Sequence, residues 1–208
     1  MARYLDVHPV DPQPRLIAQA VAMLRDGGII AYPTDSGYAL GAMIGNPHAR
    51  DRIRSIRHLD DRHHYTLVCR DFAQLGQYVL LTNSVFRAIK SATPGPYTFI
   101  VPAAPELKGK FLHPKKHTIG ARIPEHPVVR ELLAALGEPI LSSTLILPGE
   151  TEPMTDGWAV KEALDHQVEA VLDSGECGSV PTTIVDFSGD EGPVVVRVGA
   201  GDPSRFED

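Results

Sequence analysis

The chain has 208 residues, 43% hydrophobic and 22% charged, which fits one globular unit and excludes a disordered tail or a collagen-like chain. No apolar run approaches the roughly 18 residues needed to cross a bilayer, and the opening MARYLDVHPVDPQ lacks the basic and apolar regions of a secretory signal. The formal charge of −6 is uneven: residues 1–147 carry 17 basic and 12 acidic side chains, whereas residues 148–208 carry 3 and 14.

The larger part therefore presents either an anion-attracting face or ordinary surface scatter. The first periodic segment is residues 13–26, where Leu16, Ile17, Ala20, Val21 and Leu24 share one helical face and Gly27-Gly28 supplies the stop. Strands are expected at 28–32, ended by Pro33, and at about 38–44. Asn46-Pro47 opens a helix running to about Arg57, with Asn as cap and Pro at the first helical position. A strand at 65–69 precedes helices opened by Asp71 and Thr82, the second ended by Pro94-Gly95-Pro96. Residues 97–102 and 118–123 read as strands on either side of a basic loop.

Residues 127–136 form a helix closed by Gly137, 139–143 a strand, and 155 to about 167 a mostly helical stretch. Three short strands, at 169–172, 182–186 and 193–198, fit the end. Strands alternate with helices while several connections are hairpin-like, so one α/β domain over residues 1–208, with its core at about 13–200, is expected on a mixed sheet. Cys69 and Cys177 lie far apart with no metal or redox spacing, which points to a reducing cytoplasm.

Four groups of residues carry chemistry. Pro33-Thr34-Asp35-Ser36-Gly37-Tyr38 follows a buried strand, where α/β sheets place ligand loops, although the same residues also make a plain turn. Arg50, Arg54 and Arg57 stand three or four apart and share a helical face that can hold phosphates or simply face solvent beside Asp51, Asp60 and Asp61. Ser142, Ser143 and Thr144 end a strand and can bond a nucleotide or a carboxylate, or merely satisfy loop backbone. Lys108, Lys110, Lys115 and Lys116 can track a phosphate backbone or form a solvated loop. His58, His63 and His64 fit no zinc spacing, so no metal site is expected. Neither a Walker loop nor a dinucleotide fingerprint is present.

In this order the pieces resemble one family. Tyr32-Pro33-Thr34 through Tyr38-Ala39-Leu40-Gly41 is similar to the YPTxxxYxLG opening of the YrdC-like proteins. Pro94-Gly95-Pro96-Tyr97-Thr98-Phe99 resembles PGPxTF, and Arg122-Ile123-Pro124-Glu125-His126-Pro127 resembles RxPxHP. Leu141-Ser142-Ser143-Thr144 stands for STSAN, and Pro181-Thr182-Thr183 with Arg197-Val198-Gly199 completes the set. Ile56-Arg57-His58-Leu59 and Leu145-Ile146-Leu147-Pro148-Gly149 look most like the YciO branch.

The resemblance implies a twisted open sheet with flanking helices and a concave, positively lined groove. It also implies an ATP-dependent L-threonylcarbamoyladenylate synthase serving tRNA modification, with threonine, bicarbonate and Mg2+-bound ATP as reactants. Arg57 and Thr34 would then be catalytic; Arg57, Ser142, Thr144 and Arg197 would bind the nucleotide; Thr34, Tyr38, Arg122 and Thr183 would bind the amino acid. Two motifs depart from the family: Arg57, Leu59 and Asp60 stand for Lys-x-Arg-Pro, and Thr144 and Ile146 for Ser-x-Asn. The alternatives are a non-catalytic module holding tRNA or double-stranded RNA through Arg50, Arg54 and the four lysines, or a related activity on another amine.

Overall fold

The computed structural model describes residues 1–60, 63–105, 107, 112, 117–189 and 192–207. Lys108, Lys110, Lys115 and Lys116 lie outside the described residues.

The chain opens with a strand, β1 (Arg3–Asp6), and a helix, α1 (Pro14–Arg25), whose buried Ile17, Ala20, Val21 and Leu24 follow helical spacing. β2 (Ile30–Thr34) and β3 (Gly37–Met43) form a hairpin in which Thr34 pairs with Gly37, leaving Asp35 and Ser36 as the turn. Gly37 is required there: its φ is +99°, and a Cβ would come within 2.6 Å of Pro153. The Asn46 side chain caps α2 (Pro47–Arg57) by accepting from the Ala49 amide.

β4 (Thr66–Val68) leads to α3 (Phe72–Leu75), capped by Asp71, and α4 (Asn83–Ser91), capped by Thr82. β5 (Tyr97–Pro102) and β6 (Thr118–Arg122) precede α5 (Pro127–Leu136), which ends at Gly137 with φ 78°. β7 (Ile140–Thr144), α6 (Gly157–Leu164), β8 (Ala170–Asp173), β9 (Thr183–Asp186), β10 (Val194–Arg197) and a 3-10 turn (Pro203–Phe206) complete the chain.

The ten strands of the described residues join one sheet in the order β1-β8-β2-β3-β7-β4-β6-β5-β9-β10. Parallel pairs (β1/β8, β2/β8, β4/β6, β5/β9) mix with antiparallel ones, as expected. Strand alternation divides the core in two. Ile30, Tyr32, Ala39 and Ile140 pack under α1 and α5 with Leu24, Val128 and Leu132. Leu40, Leu67, Phe99 and Leu141 pack on the other face with Ile53 and Ile56 of α2 and Val160 and Leu164 of α6. The two faces matter below, because functional side chains on one strand divide between them.

Three local expectations change. The core begins at β1, ahead of residue 13, because Arg3–Asp6 pairs with the distant Ala170–Asp173 and only that partner makes it a strand. Pro33 stays inside β2: β8 pairs only with Ile30 and Ala31, so at Pro33 the strand has no second neighbour asking for an amide. The final helix starts only at Gly157, after the Asp156 cap, and ends at Leu164.

Candidate functional site

The polar side chains converge where β6 ends beside the β2–β3 turn, on the sheet face that carries α1 and α5. Arg122 is the last residue of β6 and is 7% exposed. Its Nη1 donates to Ser36 Oγ at 2.9 Å and its Nη2 pairs with the Asp35 carboxylate. Nε is buried with no partner among the described residues. Burial lowers the guanidinium pKa, and the Asp35 charge opposes that shift.

Thr34 fixes the turn itself, its hydroxyl donating to the Gly37 carbonyl at 2.6 Å and accepting from the Ser36 amide at 3.1 Å. Tyr32 and Ser142 share a hydrogen bond of 2.7 Å across β2 and β7, and burial pushes the Tyr32 hydroxyl up to about 12. Thr34, Thr66, Thr98, Arg122, Ser142 and Thr182 line one small pocket.

Thr144 and Thr182 continue into an outer cleft of about 250 Å³ that also presents Ser36, Ile146, Glu152 and Arg197. Arg197 faces it because of a bulge in β10: Val195 pairs with Val185, yet Arg197 pairs with Ile184. A regular ladder would put Arg197 opposite Thr183, on the other face. Its Nε and Nη2 donate to the Thr182 carbonyl at 3.1 and 2.8 Å. Three larger hollows, about 490 Å³ beside Met1 and Glu169, about 610 Å³ between Phe72 and Phe86 and about 460 Å³ beside Thr118 and Ser188, gather no comparable set of hydroxyls and guanidinium groups among the described residues.

The structure therefore brings together Thr34, Arg122, Ser142, Thr144 and Arg197 of the expected set, and places Tyr38, Thr183, Arg57, Arg50 and Arg54 elsewhere. Tyr38 does not line the cleft: it is fully buried on the opposite face with its hydroxyl on Asp173 at 3.1 Å. Thr183 is also fully buried, its hydroxyl donating to the Gly201 carbonyl at 2.6 Å and accepting from the Gly199 amide at 2.9 Å; Thr182 lines the pocket instead.

Arg57 sits behind the cleft. Its Nη1 donates to Ser143 Oγ at 2.5 Å and its Nε to the carbonyl of Ile146 at 3.3 Å, so it bears on the site through two lining residues, Ser143 of the small pocket and Ile146 of the outer cleft. His63 Nε2 meets the same Ser143 hydroxyl at 3.0 Å. Burial first, then Arg57 and His64, brings His63 down to about 4. Arg50 is 8% exposed and paired with Asp51, and Arg54 donates to the Leu59 carbonyl at 3.1 Å, so neither is placed in the cleft.

Ser36 stands in the turn that the sequence already marks, whereas Thr66, Thr98, Thr182 and Glu152 were given no role from the sequence. The alternation of strand residues could have found Thr66 and Thr98; Glu152 lies in a loop with no sequence signal.

The Sua5-YciO-YrdC family model, described as "Telomere recombination", matches residues 22–199. Escherichia coli YciO is 46% identical over 206 residues, covering 99% of this chain and all of the relative. Its crystal structure superposes with a TM-score of 0.95 over the same 99% and 100% of the two chains. A Vibrio vulnificus protein named threonylcarbamoyl-AMP synthase is 30% identical over 165 residues, covering 78% of this chain and 87% of that protein. Pyrococcus abyssi Sua5, crystallised with L-threonine, shares the fold at TM-score 0.81 and 24% identity, covering 94% of this chain and 57% of that one. The chain belongs to the Sua5-YciO-YrdC family.

Proposed function

We propose that the chain joins an amino acid, L-threonine in the first instance, to bicarbonate and AMP, consuming ATP and releasing pyrophosphate, in the cytoplasm and in support of tRNA threonylcarbamoyladenosine formation. The observation that carries this reading is the placing of two guanidinium groups, Arg122 and Arg197, around one hydroxyl-lined cleft that begins at the Thr34 turn. The 30% identity to the Vibrio vulnificus threonylcarbamoyl-AMP synthase supports the choice of amino acid.

The amine of threonine adds to the bicarbonate carbon, and loss of water leaves a carbamate. A carbamate oxygen attacks the α-phosphorus, the α–β bridging bond breaks, and pyrophosphate leaves. No covalent enzyme intermediate is needed. The chain contributes placement and charge: Arg122, rigid on Asp35 and Ser36, takes a carboxylate or carbamate oxygen through its unclaimed Nε, and Arg197 neutralises phosphate. Arg57 positions Ile146 rather than touching substrate.

Among the described residues no group of three His, Cys, Asp or Glu side chains could hold a metal, and Asp35 is committed to Arg122. Magnesium would enter with the triphosphate and screen its charge.

The test is pyrophosphate release from ATP with each co-substrate omitted in turn. Release that requires both threonine and bicarbonate, and that falls in an Arg197→Ala protein, supports the reading. Release indistinguishable from the enzyme-free blank under all conditions overturns it.

A further inference from the structure

We propose that Glu152 fixes the direction in which a nucleotide lies in the outer cleft, accepting its ribose hydroxyls while its phosphates are kept on the Arg197 and Arg122 side. This rests on the nucleotide reading above and adds a residue that no family motif in the chain includes.

The first support is how firmly the segment is held. The Met154 amide donates to the Leu145 carbonyl at 2.9 Å, the Tyr38 amide to the Met154 carbonyl at 2.8 Å, and the Leu145 amide to the Tyr38 carbonyl at 2.8 Å. Residues 152–154 are thereby laid against the hairpin, with Pro153 packed on the bare face of Gly37. Glu152 projects from an anchored backbone, so its carboxylate meets a ligand with little ordering still to be done.

The second support is the charge pattern. Glu152 and Arg197 line the same cleft but make no ion pair, and Glu152 has no hydrogen-bond partner among the described residues. Arg197 is turned onto Thr182 instead. The cleft thus presents an anion and a cation not paired with each other, with Ile146, Pro153 and Pro181 as apolar parts of its lining. A nucleotide matches that arrangement in one direction only. Its phosphates are repelled by the carboxylate and drawn to the guanidinium groups. Its neighbouring 2′ and 3′ hydroxyls are donors, and a carboxylate has only acceptors, as where acidic residues take ribose in dinucleotide folds.

The test is titration calorimetry of the full chain with ATP and with 2′,3′-dideoxy-ATP, run in EDTA so that a carboxylate–metal contact cannot account for a difference. The unaltered protein should prefer ATP by about tenfold, the worth of one charge-assisted hydrogen bond. Glu152→Ala should bring the two affinities together, and Glu152→Gln, which keeps one acceptor oxygen, should retain part of the preference. Glu150→Ala, on the neighbouring exposed turn, should leave the preference unchanged. A preference that survives in Glu152→Ala, or ATP binding with no preference in the unaltered protein, overturns the assignment of Glu152 alone. Where ATP binds only with magnesium present, the same comparison in magnesium decides; absence of ATP binding by the unaltered protein in both EDTA and magnesium overturns the nucleotide reading and this inference with it.

Discussion

Ser142 and Ser143 are neighbours on β7, and their hydroxyls point to opposite faces of the sheet. Ser142 meets Tyr32 beside the cleft, while Ser143 is shared by Arg57 and His63 behind it. The two alanine variants should therefore fail in different ways. Ser143→Ala strands two buried nitrogen groups and should cost about 1–3 kcal/mol, with ATP affinity little changed. In a chain of this size that lowers the melting temperature by roughly 2–4 °C per kcal/mol. Ser142→Ala should weaken ATP or threonine binding in addition to its stability cost. Thermal melts and titrations of the pair decide the matter, and equal binding losses in both would show that the two faces are not functionally distinct.

Asp35 is the counter-charge of a buried cation. Asp35→Ala should destabilise the fold by about 3–5 kcal/mol, because it leaves Arg122 uncompensated next to Ser36. Asp35→Ala combined with Arg122→Met removes both charges and should recover most of that loss while abolishing threonine binding. Urea unfolding of the single and double variants measures the coupling; purely additive losses would mean that the pair contributes nothing.

His63 makes stability depend on pH. In the unfolded chain it takes its proton near 6.5, whereas burial and the Arg57 charge hold the folded group at about 4. Below pH 6.5 the unfolded state therefore binds the extra proton. Stability is full above that value and is lost as the pH falls toward 4, by about 3 kcal/mol. His126, lowered chiefly by burial, acts in the same direction. His63→Gln should flatten much of the slope between pH 6.5 and 4 in denaturant titrations, and an unchanged slope would assign it to other groups.

Much of this site was legible as a string, and the two misplaced strand residues, Tyr38 and Thr183, share one cause. Caps and stops located α1, α2 and α5 because Asn46, Gly27 and Gly137 act on neighbouring residues. Thr34 and Tyr38 sit in one motif, as do Thr182 and Thr183, yet each pair divides between the cleft and the opposite core. Function assigned by motif membership ignores the two-residue period of a strand. Applying that period along β7 puts Ser142 and Thr144 together and sets Ser143 apart. β1 and the β10 bulge were not legible by any local rule, since each exists only in relation to a partner strand that is distant or shifted in register. Arg57 was misplaced for a different reason: its long side chain leaves the end of α2 and can turn either way, and the Ser143 hydroxyl decided which.

The bulge makes a prediction about Arg197 that separates its position from its charge. Arg197→Ala should weaken ATP binding by about tenfold, with little effect on stability because the side chain lies near the surface. Arg197→Lys keeps the charge but loses the two-pronged grip on the Thr182 carbonyl, so it should recover only part of the affinity. Deleting Val196 is the sharper experiment. It removes the extra residue of β10 but leaves Val195 opposite Val185 and lets Arg197 follow directly opposite Ile184, still on the cleft face. ATP affinity should then stay within a fewfold of the unaltered protein, as the register requires. If the deletion weakens binding as much as Arg197→Ala does, the bulge contributes more than the face on which Arg197 emerges, and the local twist it adds to β10 must be part of how the guanidinium is aimed.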